Sequence, residues 1–152
     1  MRSENSAGGH AVCLVDDDPL VLNSLRHLLA SDGIAARSFD KAETFLAHIE
    51  IYSVALVVLD LWMAGMTGLE VQARLSSMSC QTRVIMMTGS KGPDDERTAM
   101  QAGAIAFFNK PFDDEKFIAA VRGALKQNQQ EVTERTENSF PRTSFTPVES
   151  NL

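Results

Sequence analysis

A chain of 152 residues suits one domain of about 100–150 residues with short extensions, and 44% hydrophobic against 22% charged residues can build a substantial core without a metal or disulfide staple. The net charge is −6 and the 14 Lys and Arg are scattered from Arg2 to Arg142, so no basic cluster marks a nucleic-acid surface, and direct nucleic-acid binding by this chain is not expected. Residues 1–10 lack the apolar stretch of a signal peptide, and the longest apolar run, 54–59, is too short to cross a bilayer, so a cytoplasmic location and no membrane contact are expected.

Residues 1–10 read as a flexible N-terminus. A first apolar run, 11–15, leads into Asp16-Asp17-Asp18. Asp18-Pro19 then has the form of a helix cap with proline at the first helical position. Val21, Leu22, Leu25, Leu28 and Leu29 give the following segment a helical stripe. A second run, 34–39, is the least strand-like of the set. Asp40 and Glu43 have capping-box spacing for a second helix. The third run, 54–59, ends at Asp60, and Thr67 with Glu70 repeats the capping-box spacing. The fourth run, 84–87, stops at Thr88; helix signals over 93–102 follow, with Gly103 where a C-terminal cap belongs. The fifth run, 105–108, precedes Lys110-Pro111, and 113–126 supplies the last helix.

Cys13 and Cys80 are far apart, without metal-ligand spacing, and read as thiols of a reducing compartment. From 127 to 152 the chain is rich in Ser, Thr, Gln and Glu. That segment cannot bury enough apolar surface to offset its ordering entropy, which predicts a disordered tail or linker.

Five short apolar runs alternating with helices mean βαβ units. They predict a doubly wound, five-stranded parallel sheet of flavodoxin-like α/β form over residues 11–126. In such a sheet the functional crevice lies at the carboxyl ends of the strands. That edge collects Asp16, Asp17 and Asp60, the Thr88 hydroxyl and the Lys110 ammonium. Gathered carboxylates repel unless a cation offsets them, and an all-oxygen donor set suits Mg²⁺. A carboxylate beside that ion can attack phosphorus, while Lys110 and Thr88 can bind phosphoryl oxygens. Singly these residues read otherwise: Asp18 as a cap, Asp60 as a strand-end turn residue, Thr88 as a strand terminator, Lys110 as a surface lysine. Their joint order carries the reading.

Val15-Asp16-Asp17, Val57-Val58-Leu59-Asp60-Leu61-Trp62-Met63, Met87-Thr88-Gly89 and Asn109-Lys110-Pro111-Phe112 resemble the receiver domain of two-component response regulators. The separations are 44 residues from Asp16 to Asp60, 28 on to Thr88 and 22 on to Lys110. The stretch AGAIAFFNKPFDDEKFIAAVRGAL is similar to the FixJ-type branch. The resemblance implies that Asp60 accepts a phosphoryl group from a histidine kinase or phosphotransfer protein. It implies that Asp17 and Asp60 ligate Mg²⁺ directly, with Asp16 acting through water and the backbone carbonyl of Trp62 completing the set. Thr88 and Phe107 would be the switch pair, Lys110 would pair with the phosphoryl group, and Lys110-Pro111 would be cis. The face made by the fourth helix, fifth strand and fifth helix would serve a homodimer or partner. Such a domain is a phosphoacceptor switch rather than an enzyme acting on a separate substrate.

Two positions depart from the family pattern: Ala64 stands where proline is usual, and Trp62 is bulky for its place. Other outputs stay open. The chain can be the receiver portion of a truncated FixJ-type transcription factor, since Phe145-Thr146-Pro147-Val148-Glu149 faintly resembles the opening of that family's DNA-binding domain. It can also be an interaction domain independent of phosphorylation. A haloacid-dehalogenase-like phosphatase wants a second Asp two residues after the nucleophile, where this chain has Trp62. A dinucleotide fold lacks its Gly-x-Gly-x-x-Gly after the first strand.

Overall fold

The computed structural model describes residues 11–90 and 92–139. Five strands, β1 (Val12–Val15), β2 (Ala36–Phe39), β3 (Leu56–Asp60), β4 (Arg83–Thr88) and β5 (Ala106–Asn109), form one sheet in the order β2-β1-β3-β4-β5. Every neighbouring pair is parallel. The helices are α1 (Pro19–Ser31), α2 (Ala42–Ile49), α3 (Gly68–Ser77), α4 (Asp95–Gln101) and α5 (Asp114–Ser139), one after each strand. The fold is therefore the five-stranded, doubly wound flavodoxin-like sheet that the alternation predicts.

Strands buried on both faces need apolar residues without alternation, and β1 and β3 supply them: Val12, Cys13, Leu14 and Val15, then Leu56, Val57, Val58 and Leu59, are all inaccessible to solvent. Alternate side chains serve two half-cores. On one face Val57, Leu59 and Met86 meet Phe45 and Leu46 of α2, Val71 and Leu75 of α3 and Ala99 of α4. On the other Leu14, Val58 and Met87 meet Leu22, Leu25 and Leu29 of α1 and Phe117, Val121 and Ala124 of α5. Each such Leu, Val or Phe contributes about 1.5–3 kcal/mol on leaving water. Phe107 joins the first half-core and Phe108 the second, so the paired phenylalanines of β5 pack on opposite faces.

β2 forms although its sequence is weakly strand-like. It lies at the edge of the sheet and only Phe39 is fully buried, so alternation is relaxed there. Asp18 caps α1 by accepting the Leu20 N–H at 3.0 Å, with Pro19 inside the first turn. Thr67 and Glu70 close the expected capping box on α3. The box expected from Asp40 and Glu43 does not form. The N-cap of α2 is Lys41, without a side-chain cap bond, so Glu43 falls one position too early to reach back to it. Gly103 takes φ +114° just beyond α4, as a left-handed helix stop requires.

The boundary expected at Lys126 falls inside α5, which continues to Ser139. Residues 127–139 contain neither glycine nor proline, and Gln and Glu favour helix on intrinsic propensity without any burial. The expected N-terminal segment, 1–10, and residues 140–152 lie outside the described residues.

Both cysteines are free. Burial pushes the Cys13 thiol up to about 12, with Arg37 offsetting little of it, so Cys13 behaves as a core residue. Among the described residues no helix is long and apolar enough to cross a membrane.

Candidate functional site: an acidic crevice at the strand ends

Parallel pairing puts the carboxyl ends of all five strands at one edge. In register, Val15 stands beside Leu59, Asp60 beside Met87 and Thr88 beside Asn109. Residues one step past β1, at the end of β3 and one step past β5 therefore converge. Asp16, Asp17 and Asp60 each offer a carboxylate oxygen within 4.8 Å of the others. Asp16 and Asp60 are buried, at 1% and 5% exposure, and Asp17 is exposed. Lys110 reaches both buried carboxylates, with Nζ 2.7 Å from Asp16 Oδ2 and 3.4 Å from Asp60 Oδ1.

The backbone holds this set in place. Asp16 Oδ1 accepts the Asp18 N–H at 2.9 Å, and Asp17 Oδ2 accepts the Ala64 N–H at 3.0 Å. The Lys110-Pro111 peptide is cis, as expected, and the Lys110 N–H donates to the Thr88 carbonyl at 2.7 Å. Thr88 is buried, and its Oγ1 accepts the Ser90 N–H at 3.1 Å. Phe107 is half-buried, beside Met86 in register. Trp62 is half exposed just beyond β3, at 52%.

One lysine does not neutralise three carboxylates. Burial, then the neighbouring Asp16 charge, push the Asp60 carboxyl up from 3.8 to about 6; Lys110 offsets part of this and Asp17 adds to it. Burial alone would lower the Lys110 pKa, but its bond to Asp16 and the charges of Asp16 and Asp60 outweigh that and raise it. The crevice thus carries excess negative charge on oxygen donors alone, with one exposed carboxylate at its mouth. Such a site fits a hard divalent cation.

The fold brings Asp16, Asp17, Asp60 and Lys110 together and ends β4, the neighbour of β3, at Thr88, with Phe107 placed on the neighbouring core face. Sequence reasoning missed the Ala64 N–H as a partner of Asp17. The signal was present: a proline at that position has no N–H to donate.

Fold and crevice define a class, the doubly wound α/β domain with an acidic site at the carboxyl edge of its sheet. Residues 12–122 match the family model of the response regulator receiver domain. The response regulator protein TodT of Pseudomonas putida is 34% identical over 133 residues, covering 84% of this chain and 59% of TodT. The transcriptional regulatory protein FixJ of Azorhizobium caulinodans is 39% identical over 114 residues, covering 75% of this chain and 54% of FixJ. The chain spans a little over half the length of these relatives. Among solved structures, the response regulator StyR superposes with a TM-score of 0.75 at 35% identity, covering 84% of this chain and 65% of that one. FixJ-N does so with a TM-score of 0.71 at 33% identity, covering 77% and 94%.

The chain belongs to the response regulator receiver domain family, and its likeness is to the FixJ type. Receiver domains are the phosphoacceptor switches of two-component signalling and interact with histidine kinases or phosphotransfer proteins.

Proposed function

We propose that Asp60 is the phosphoacceptor of a Mg²⁺-dependent switch. The observation that carries the reading is the buried Asp60 carboxylate within 4.8 Å of two more carboxylates and 3.4 Å from the Lys110 ammonium. Asp17 and Asp60 would hold Mg²⁺ directly and Asp16 through water, with the backbone carbonyl of Trp62 as a further donor. Bound there, the ion would neutralise carboxylate and phosphoryl charge.

The chain's own residues do the rest. A carboxylate oxygen of Asp60 forms a new bond to phosphorus as the bond from phosphorus to the donor's imidazole nitrogen breaks. The nitrogen keeps the electron pair and takes a proton from solvent. Lys110 pairs with one phosphoryl oxygen, and the Thr88 hydroxyl donates to another once it turns toward the acceptor. That turn vacates space beside β4, and Phe107 moves inward to fill it. Packed side chains occupy discrete positions, so the pair is bistable. The remodelled face is α4–β5–α5, where Met100 of α4 already exposes apolar surface, and it serves a homodimer or a protein partner. The two free cysteines agree with a reducing, cytoplasmic setting. A part in transcriptional regulation is the second reading, favoured by the FixJ-type similarity.

The test is labelling by acetyl phosphate with Mg²⁺, read by intact-mass spectrometry and site mapping. Wild type should gain a single phosphoryl group on Asp60 and Asp60→Asn none. Full labelling of the variant on Asp16 or Asp17 would overturn the assignment.

A further inference from the structure

Gly68, the first residue of α3, is pressed against the strand that ends in Asp60. A Cβ at Gly68 would lie 2.7 Å from the backbone oxygen of Asp60, 2.7 Å from Sδ of Met86 and 3.1 Å from Cα of Leu61. The Met86 thioether is the end of a flexible side chain and can step aside. The Asp60 carbonyl and Leu61 Cα are main chain and cannot. Hydrogen bonds lock the approach from both sides. Gly68 N–H donates to the Leu61 carbonyl at 2.8 Å, and Leu61 N–H donates to the Met87 carbonyl at 2.7 Å. The Thr67–Glu70 capping box closes at the same point. By contrast, a Cβ on Gly123 in α5 would meet nothing within 4 Å.

We propose that Gly68 is a positioning residue for the acceptor. Having no side chain, it lets the start of α3 seat directly on the main chain of Asp60 and Leu61. That seat fixes where the Asp60 carboxylate stands relative to Asp16, Asp17 and Lys110. Gly68 touches no reactant and acts through the Asp60 backbone. The inference rests on the reading of Asp60 as acceptor and names what sets its place.

The experiment uses the full chain with acetyl phosphate and Mg²⁺. It reads the initial labelling rate at saturating Mg²⁺ and the carboxyl carbon resonance of Asp60. Gly68→Ala forces the Asp60 main chain to retreat, so labelling should slow by roughly tenfold or more, in keeping with the cost of sub-ångström misplacement. The Asp60 resonance should move with it. Gly123→Ala, the matched glycine replacement in open space, should leave both unchanged. Adding Met86→Ala to Gly68→Ala relieves the thioether contact but not the backbone ones, so the double variant should stay slow. Recovery of the wild-type rate there would show that the glycine serves core packing alone and would overturn the proposal. So would a wild-type rate and resonance in Gly68→Ala itself.

If Gly68→Ala does not fold, Thr67→Ala carries the test. It adds no atom and opens the capping box that holds the first turn of α3, so labelling should slow by about two- to fivefold. An unchanged rate in that variant overturns the proposal. Asp60→Asn separates the two claims. Labelling that persists in it defeats the acceptor reading, whereas labelling that needs Asp60 yet ignores Gly68 and Thr67 defeats only this one.

Discussion

Removing the charge of Asp60 should stabilise the metal-free domain. In the folded chain its carboxyl titrates near 6 rather than 3.8, because burial and then Asp16 disfavour the charged form. A gap of about two pKa units corresponds to roughly 3 kcal/mol at 1.36 kcal/mol per unit. Water at the open mouth of the crevice screens part of this, leaving about 1–2 kcal/mol. The sign follows from proton linkage. The folded state holds the Asp60 proton more tightly than the unfolded state, so the penalty is absent below pH 3.8, grows as pH rises toward 6 and is constant above it. Asp60→Asn carries no such penalty, and Lys110 keeps its 2.7 Å contact with Asp16. In EDTA at pH 7.5 the variant should melt about 4–8 °C above wild type, taking about 4 °C per kcal/mol for a domain of this size. At pH 3.5 the difference should vanish. Millimolar Mg²⁺ at pH 7.5 should narrow it, since an ion that binds the folded wild type stabilises it by mass action. Thermal melts followed by circular dichroism measure all three. A variant no more stable than wild type in EDTA at pH 7.5, or equally advantaged at pH 3.5, refutes the electrostatic account of the crevice.

Ala64→Pro deletes the N–H that Asp17 accepts at 3.0 Å; the Mg²⁺ concentration for half-maximal labelling should rise about two- to fivefold, the worth of one exposed hydrogen bond, and an unchanged value would mean that the bond does not orient Asp17. Thr88→Ala should still take a phosphoryl group on Asp60 but gain no dimer or partner contact, because Phe107 then has no paired movement to follow. Size-exclusion chromatography at matched phosphorylation checks it, and equal association by the mutant would route the signal elsewhere. Truncation after Lys126 should leave the labelling rate unchanged, since Phe117, Val121 and Ala124, which bury α5 against the sheet, all precede the cut; a large loss would show that 127–152 bears on the site.

The central strands were legible because burial on both faces leaves continuous apolar runs, such as 54–59. β2 was harder to read because an edge strand with one buried side chain, Phe39, has no such run. The start of α2 was misplaced because capping-box spacing from Asp40 says nothing about which backbone turns first, and Lys41 turned. The reach of α5 was hidden for a different reason. What a polar segment can bury does not decide its conformation, because helix beyond Lys126 needs only propensity and the absence of a breaker. The crevice was legible for a topological reason. Parallel strands end at one edge whatever their separation in sequence, so Asp16, Asp60 and Lys110 meet without any local signal joining them. What the one-dimensional pattern leaves open is the division of labour between adjacent carboxylates. Asp16 and Asp17 are consecutive and equal in charge, but successive side chains leaving a strand point opposite ways. One must therefore turn inward to Lys110 and the other outward to the mouth. The inward one is Asp16, at 1% exposure and 2.7 Å from Nζ, which leaves Asp17 the exposed carboxylate that a cation arriving from solvent meets first.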